Sequence, residues 1–271
     1  MKASLIISIY NNIDFLEAIL DSLHFQTEKN FEIIISEDGE NPDVKRFIDQ
    51  YPFEQPYLHL TQKDEGWRKN KAMNSAIRAA KTDWLIFIDG DCVPHPRFVE
   101  MHLRFANENI ILAGKRVIVS TESSKLLIEK KIDILRIQTH LFKKMYFSKE
   151  RIRHLEEIFF IPPQSVFGFI PKMRKHDFLL GCNMSFSKKA ISVINGFDED
   201  YKLPAVGEDA DLIWRFNGTG FKIKSLRNLA IVYHLHHELN WVNRDENQEI
   251  CRKKQLEKAF ICMNGLKKST R

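Results

Sequence analysis

An α/β fold built on a mostly parallel sheet is predicted for this 271-residue chain by three observations. Short apolar runs alternate with amphipathic stretches through the first 120 residues, the pattern of strands joined by crossover helices. The runs are continuous rather than alternating in polarity, as strands buried on both faces require. Polar clusters follow the runs at Ser8–Asn11, Glu37-Asp38 and Asp89-Gly90-Asp91. In open parallel sheets ligands bind beyond the carboxyl ends of strands, so three such clusters define one edge.

The elements follow in order. "SLIISI" (4–9) is a first strand, and Ile13, Leu16, Leu20 and Leu23 then mark one helix face. "FEIIIS" (31–36) is a second strand, closed by a turn at Gly39 and Pro42. A helix over 43–50 leads to "YLHLT" (57–61). "GWRKNKAMNSAIRAA" (66–80) carries Ala72, Ala76 and Ala79 on one side and predicts a helix before the strand "WLIFI" (84–88). Residues 121–177 break the alternation with a helical, Lys/Arg-rich insertion. The β pattern resumes at "LLGCNMSFS" (179–187), followed by a helix from about Glu208, the strands "FKIKSL" and "LAIVYHL", and a charged C-terminal helix over 245–264. The organisation expected is thus 1–120, 121–177, 178–244 and 245–271.

Composition is that of a globular protein, 44% hydrophobic and 28% charged, with no repeat or low-complexity segment. No apolar run reaches the ~18 residues of a membrane helix. The N-terminal "MKASLIISIY" reads as a strand, not a signal peptide. Cys92, Cys182, Cys251 and Cys262 lack CxxC spacing and read as reduced thiols, which places the chain in the cytoplasm. The net charge is +5, yet residues 125–177 hold twelve Lys and Arg against six Asp and Glu. The positive charge is therefore local, without a nucleic-acid motif beside it, and argues against a nucleic-acid partner. The same basic segment, interleaved with Leu, Ile and Phe, suits either an anionic membrane surface or a solvated helical lid.

Three clusters carry chemistry. Asp89-Gly90-Asp91 is either a polar turn or a seat for a hard divalent cation bridging phosphate oxygens. "GEDADLIWR" (207–215) sets Glu208, Asp209 and Asp211 at a helix start, where acids complement the helix dipole but also repel one another. "VYHLHHE" (232–238) closes a strand with three histidines in four residues, and neutral imidazole is a common metal ligand. "NGFDEDY" (195–201) reads as a turn followed by a charged loop, and only the resemblance described next makes it the acceptor rim.

The order SIYN, SEDG, the 66–80 helix, FIDGDCVPHP, GCNMSF, GFDE, GEDADLIWR and VYHLHH resembles the inverting nucleotide-sugar glycosyltransferases of family 2. It resembles in particular the bacterial branch related to chondroitin polymerase, with a galactosyltransferase-type C-terminal half. The resemblance covers residues 3–119 and 178–240 and implies a GT-A type sheet, Rossmann-like and mixed at one end, with a helical insertion. It implies that Tyr10 and Asn11 face the nucleotide, that Asp38 contacts base or ribose, and that Asp89, beside Gly90, faces ribose and metal. Asp91 and His234 are the implied metal ligands, with His237 in reserve. Asn183 falls in the strand walling the donor sugar. Where the family carries Arg-Asn this chain has Met73-Asn74, so Arg68 is expected to supply the missing charge beside Asn74. Asp209 is the implied acid that deprotonates the acceptor, with Glu208 next to it.

The expected activity is metal-dependent (Mn²⁺ or Mg²⁺) inverting transfer of a sugar from a UDP-sugar to a hydroxyl of a growing cell-surface glycan or lipid-linked acceptor. Such an enzyme would be cytoplasmic or peripheral on the inner face of the membrane. A sugar-phosphate nucleotidyltransferase would need a Gly-rich basic loop after the first strand, and "IYNNIDF" has no glycine. A non-catalytic nucleotide- or polyanion-binding module is the other alternative.

Overall fold

The computed structural model describes residues 1–147, 155–175, 178–204, 206–207, 209–238 and 244–268. The elements of the first half are β1 (Ala3–Ile9), α1 (Ile13–Leu23), β2 (Phe31–Glu37), α2 (Pro42–Gln50), β3 (Tyr57–Leu60), α3 (Lys69–Ala79), β4 (Trp84–Asp89), β5 (Cys92–Pro94), α4 (Phe98–Arg104), β6 (Ile110–Ala113) and β7 (Lys115–Ile118). There follow α5 (Thr121–Ile128), α6 (Ile134–Phe147), α7 (Phe169–Met173), β8 (Met184–Ser187), α8 (Lys188–Val193), α9 (Asp209–Gly218), β9 (Lys222–Ser225), β10 (Ile231–His234) and α10 (Asp245–Leu256).

Seven strands form the main sheet in the order β3-β2-β1-β4-β8-β6-β9. Strands β1 to β4 are parallel, and β8 runs antiparallel to both β4 and β6. The sheet is therefore mixed at one end, as expected. A smaller sheet, β5-β10-β7, was not expected from the sequence. Its β10 pairs antiparallel with β5, setting His234 opposite Cys92, and parallel with β7.

Successive side chains of a strand point to opposite faces, so each central strand feeds two cores. Leu5, Ile7, Ile33, Ile35, Ile86 and Ile88 join one core with α1, α2 and α4. Ile6, Ile34, Leu85 and Phe87 join the other with α3, α8 and α9. Each fully buried aliphatic side chain stabilises the fold by ~1.5–3 kcal/mol relative to exposure. The basic insertion belongs to the first core: Leu127, Ile134, Ile137, Leu141 and Ile158 are buried in it. Residues 148–154 and 176–177 of that segment lie outside the described residues.

Three boundaries differ from expectation. Gly66 takes φ +78°, so α3 starts only at Lys69. Leu180 to Asn183 is a turn, closed by the Asn183 N–H on the Leu180 carbonyl, which delays β8 to Met184. The C-terminal helix ends at Leu256, and the chain beyond it packs on the 195–200 turn through Asn195, Glu199 and Asn264.

Candidate active site

The carboxyl ends of β1, β2 and β4 open into a cleft of about 1410 Å³. Tyr10, Asn11, Asp38, Asp89, Gly90, Asp91 and His234 all line it, so the predicted edge exists. Gly90 is required by close approach: a Cβ there would lie 2.8 Å from the Ser8 carbonyl oxygen and 2.9 Å from Ile9 Cγ2. The chain turns from β4 into β5 against the end of β1, and this places Asp89 and Asp91 at the cleft floor.

The β5–β10 pairing brings Asp91 to the histidines. The Leu235 N–H bonds the Asp91 carbonyl at 2.8 Å. Asp91 Oδ2 then stands 3.2 Å from His234 Nε2 and 3.1 Å from His237 Nε2. The three ligand-type atoms lie within 4.8 Å of one another. Cys92 Sγ donates to Asp91 Oδ1 at 3.1 Å. Burial pushes the Asp91 carboxyl up, but the donors His234, His237 and Cys92 outweigh it and hold the group ionised, well below its usual range.

This donor set fits a divalent cation. The Glu238 carbonyl can only accept, so His237 Nδ1, 3.0 Å away, is the donor of that bond. A protonated His237 donates from Nε2 to the Asp91 carboxylate, whereas a neutral one would present a lone pair there. Two acceptors face to face need a proton or a metal between them. The first shows as a His237 pKa raised by its bond to Asp91, and the second is the usual arrangement of a metal-binding histidine held by a carbonyl.

Around this centre Asp89 pairs with Lys69 Nζ at 2.7 Å. Asp38 is buried, accepting from Gln62 Nε2 at 2.6 Å and from the Arg68 N–H at 2.7 Å. Tyr10 donates to Asp64 at 2.8 Å across the mouth. Sequence reasoning missed Lys69, Asp64, Trp67 and Arg116, all of which line the cleft. The expected role of Arg68 is corrected: its guanidinium turns back to the Trp67 carbonyl, and Lys69, one position on, is the cleft cation. Successive helix positions differ by about 100°, so a one-residue offset changes the face.

Two asparagines expected to meet the donor are also corrected. Asn74 is fully buried, bonding Phe197 N and O and Glu199. Asn183, equally buried, donates to the Lys115 and Ala230 carbonyls and accepts from His102, stapling the small sheet to the large one. Neither lines the cleft.

The acids of 207–211 divide. Asp211 is fully buried, paired with Arg215 at 2.6 Å and bonded by Tyr201. That pair offsets the repulsion noted in the sequence. Asp209 begins α9 half-buried and accepts from the Ala210 N–H; it does not line the cleft, although nearby Pro204 does. Glu208 lies outside the described residues. The loop from Asp198 to Gly207 is closed at its neck by Asn70, whose Nδ2 donates to the carbonyls of both. Lys254 pairs with Asp198 and, at 2.7 Å, with Asp200.

The family model described as glycosyl transferase family 2 matches residues 4–173, more than half the chain, and one described as the N-terminal domain of galactosyltransferase matches 170–238. The chain belongs to glycosyl transferase family 2. This glycosyltransferase is 24% identical over 254 residues to chondroitin synthase of Escherichia coli, covering 85% of this chain and 34% of that protein. It is 29% identical over 122 residues to hyaluronan synthase of Pasteurella multocida, covering 44% and 13%. The glycosyltransferase thus spans about a third or less of these relatives. Among solved structures, S. aureus TarS 1–349 in complex with UDP-GlcNAc superposes with TM-score 0.62 at 16% identity, covering 95% of this chain and 66% of that one. The mannosyltransferase PcManGT of Pyrobaculum calidifontis, in complex with GDP-Man and Mn²⁺, superposes with TM-score 0.57 at 13% identity, covering 95% and 62%. The fold is GT-A.

Proposed function

We propose that this glycosyltransferase moves a sugar from a UDP-sugar to a hydroxyl of a growing surface glycan or lipid-linked acceptor, with inversion and with a divalent cation. The observation that carries the reading is the convergence of Asp91, His234 and His237 on a cleft floored by Asp89. One carboxylate with two imidazoles favours a transition metal such as Mn²⁺ over Mg²⁺. Bound there, the cation supplies charge neutralisation for the leaving diphosphate. Family membership and the nucleotide-sugar complexes of the structural neighbours support the donor class.

The chain's own residues supply the rest. Tyr10, Asn11 and Asp38 line the end of the cleft where the resemblance puts the nucleoside. Lys69 holds Asp89 in place. The resemblance makes Asp209, at the start of α9 near the rim residue Pro204, the general base that takes the acceptor's proton, with Glu208 beside it; Asp211 is committed to Arg215. An acceptor anchored in lipid would bring the enzyme to the cytoplasmic face of a membrane. Among the described residues no helix is long and apolar enough to cross one.

The test is release of UDP from a panel of UDP-sugars with Mn²⁺ and acceptor glycans. Turnover that survives EDTA unchanged, or in Asp91→Asn, would overturn the metal reading; no turnover of any nucleotide sugar would overturn the donor class.

A further inference from the structure

Four large apolar side chains within eight residues stand out of the surface, and none of them lines the cleft. Val166, Phe167, Phe169 and Met173 are 88, 63, 54 and 74% exposed. Their exposure is built in. Gly168 between the two phenylalanines is buried, and a Cβ on it would lie 2.3 Å from the Pro163 carbonyl oxygen. The turn is closed by Gly168 N–H on the Ser165 carbonyl and Ile170 N–H on the Phe167 carbonyl. Pro171 is buried, while Phe169 and Met173, four residues apart on α7, share the outward face. Arg174 ties the segment down through Asn228 at 2.5 Å and Glu157 at 3.1 Å.

Beside these side chains lies a second cavity of about 340 Å³, lined by Arg104, Lys172 and Lys224 with Phe105, Pro163 and Leu229 and by no carboxylate. Lys172 and the neighbouring Lys175 are exposed, and among the described residues neither is ion-paired. Apolar side chains held outward next to unneutralised cations match the two layers of an anionic bilayer: acyl chains for the first, phosphate headgroups for the second. We propose that Val166, Phe167, Phe169 and Met173 insert into an anionic lipid surface while Arg104, Lys172, Lys175 and Lys224 bind its headgroups. This rests on the membrane-facing reading above and gives it a place in the fold.

The experiment is sedimentation of the full chain with phosphatidylcholine vesicles, with and without phosphatidylglycerol, at low and high salt. Binding is expected only with phosphatidylglycerol, and it weakens in salt. Phe167→Ser/Phe169→Ser/Met173→Ser should abolish it. Lys172→Glu/Lys175→Glu should weaken it at least ~25-fold, from roughly fivefold for each lysine lost. Melting temperature and UDP release should stay at the parent level in both variants, since the residues are exposed and none lines the cleft. If the parent binds and both variants bind equally well, this surface is wrong but the membrane reading stands. If the parent binds no vesicle at low salt, both fall. Equal binding to pure phosphatidylcholine overturns the headgroup role. Self-association of the parent that the triple variant loses, without vesicle binding, makes the patch a contact between copies and overturns the proposal.

Discussion

Replacing Asp211 by asparagine separates the structural acid of the 207–211 segment from the proposed catalytic one. Asp211 and Arg215 are both fully buried, and the guanidinium also donates to the Ile194 and Gly196 carbonyls at 2.8 Å. Arg215 therefore remains in place and charged when its partner becomes neutral. Removing one member of a buried ion pair costs ~3–5 kcal/mol, because the survivor is left uncompensated. For a chain of this size each kcal/mol moves the melting temperature by ~2–4 °C, so a drop of about 10 °C is expected. Asp209→Asn should lower it far less, since a half-exposed carboxylate at a helix start contributes ~0.3–1 kcal/mol. Its turnover should instead fall by roughly 10²–10⁴-fold. Thermal melting with parallel UDP-release assays reads both. Joint replacement, Asp211→Leu with Arg215→Met, should recover much of the stability, as apolar substitutes for buried pairs do. A melting temperature of Asp211→Asn equal to the parent's would refute the reasoning, as would Asp209→Asn at full activity.

Three other outcomes follow from the same geometry. Asp91→Asn should abolish Mn²⁺-dependent turnover and remove the fluorescence or calorimetric signature of Mn²⁺ binding, with the melting temperature of the metal-free protein measured as the fold control. Gly90→Ala should cost ~1–3 kcal/mol by overpacking against Ser8 and Ile9 and should depress turnover, because relief of the clash displaces Asp89 and Asp91; an unchanged urea midpoint would contradict the contact. His102 is fully buried and neutral, its pKa pushed down to about 3 by burial despite its bond to Asn183. A folded-state pKa below the unfolded value of ~6.5 means that stability is complete above pH 6.5 and declines as the pH falls toward 3, by about 2 kcal/mol at pH 5. Urea titrations at pH 7 and 5 check this, with His102→Gln expected to show a smaller loss between them.

The sheet and its ligand edge were legible because buried strands and their polar ends are local patterns. Asp89 to Asp91 follows an apolar run, and no long-range information is needed to place it at a strand end. The pairing of Asp91 with His234 was not derivable from spacing. It depends on β5, three residues long, which is too short to leave a periodic signal. Asn74 and Asn183 were misassigned because an amide that bonds backbone inside a core and an amide that faces a ligand have the same sequence appearance. What separates them is burial, and burial here is set by the 195–201 turn and the small sheet. The basic insertion showed its charge in sequence but not its packing: the buried stripe of α6 at Ile134, Ile137 and Leu141 sits in a segment read chiefly for its Lys and Arg.

Asn70 gives the loop from Asp198 to Gly207 an unusual freedom. The amide grips main-chain carbonyls at both ends of the loop, so its hold is indifferent to the side chains between them. The same first turn of α3 holds Asp89 through Lys69. With Asp198, Asp200 and Tyr201 kept for Lys254 and Asp211, the exposed positions of the loop can therefore be varied without unseating the cleft floor. Diversification of the rim and constancy of the floor are mechanically separable, with one helix turn as the joint between them.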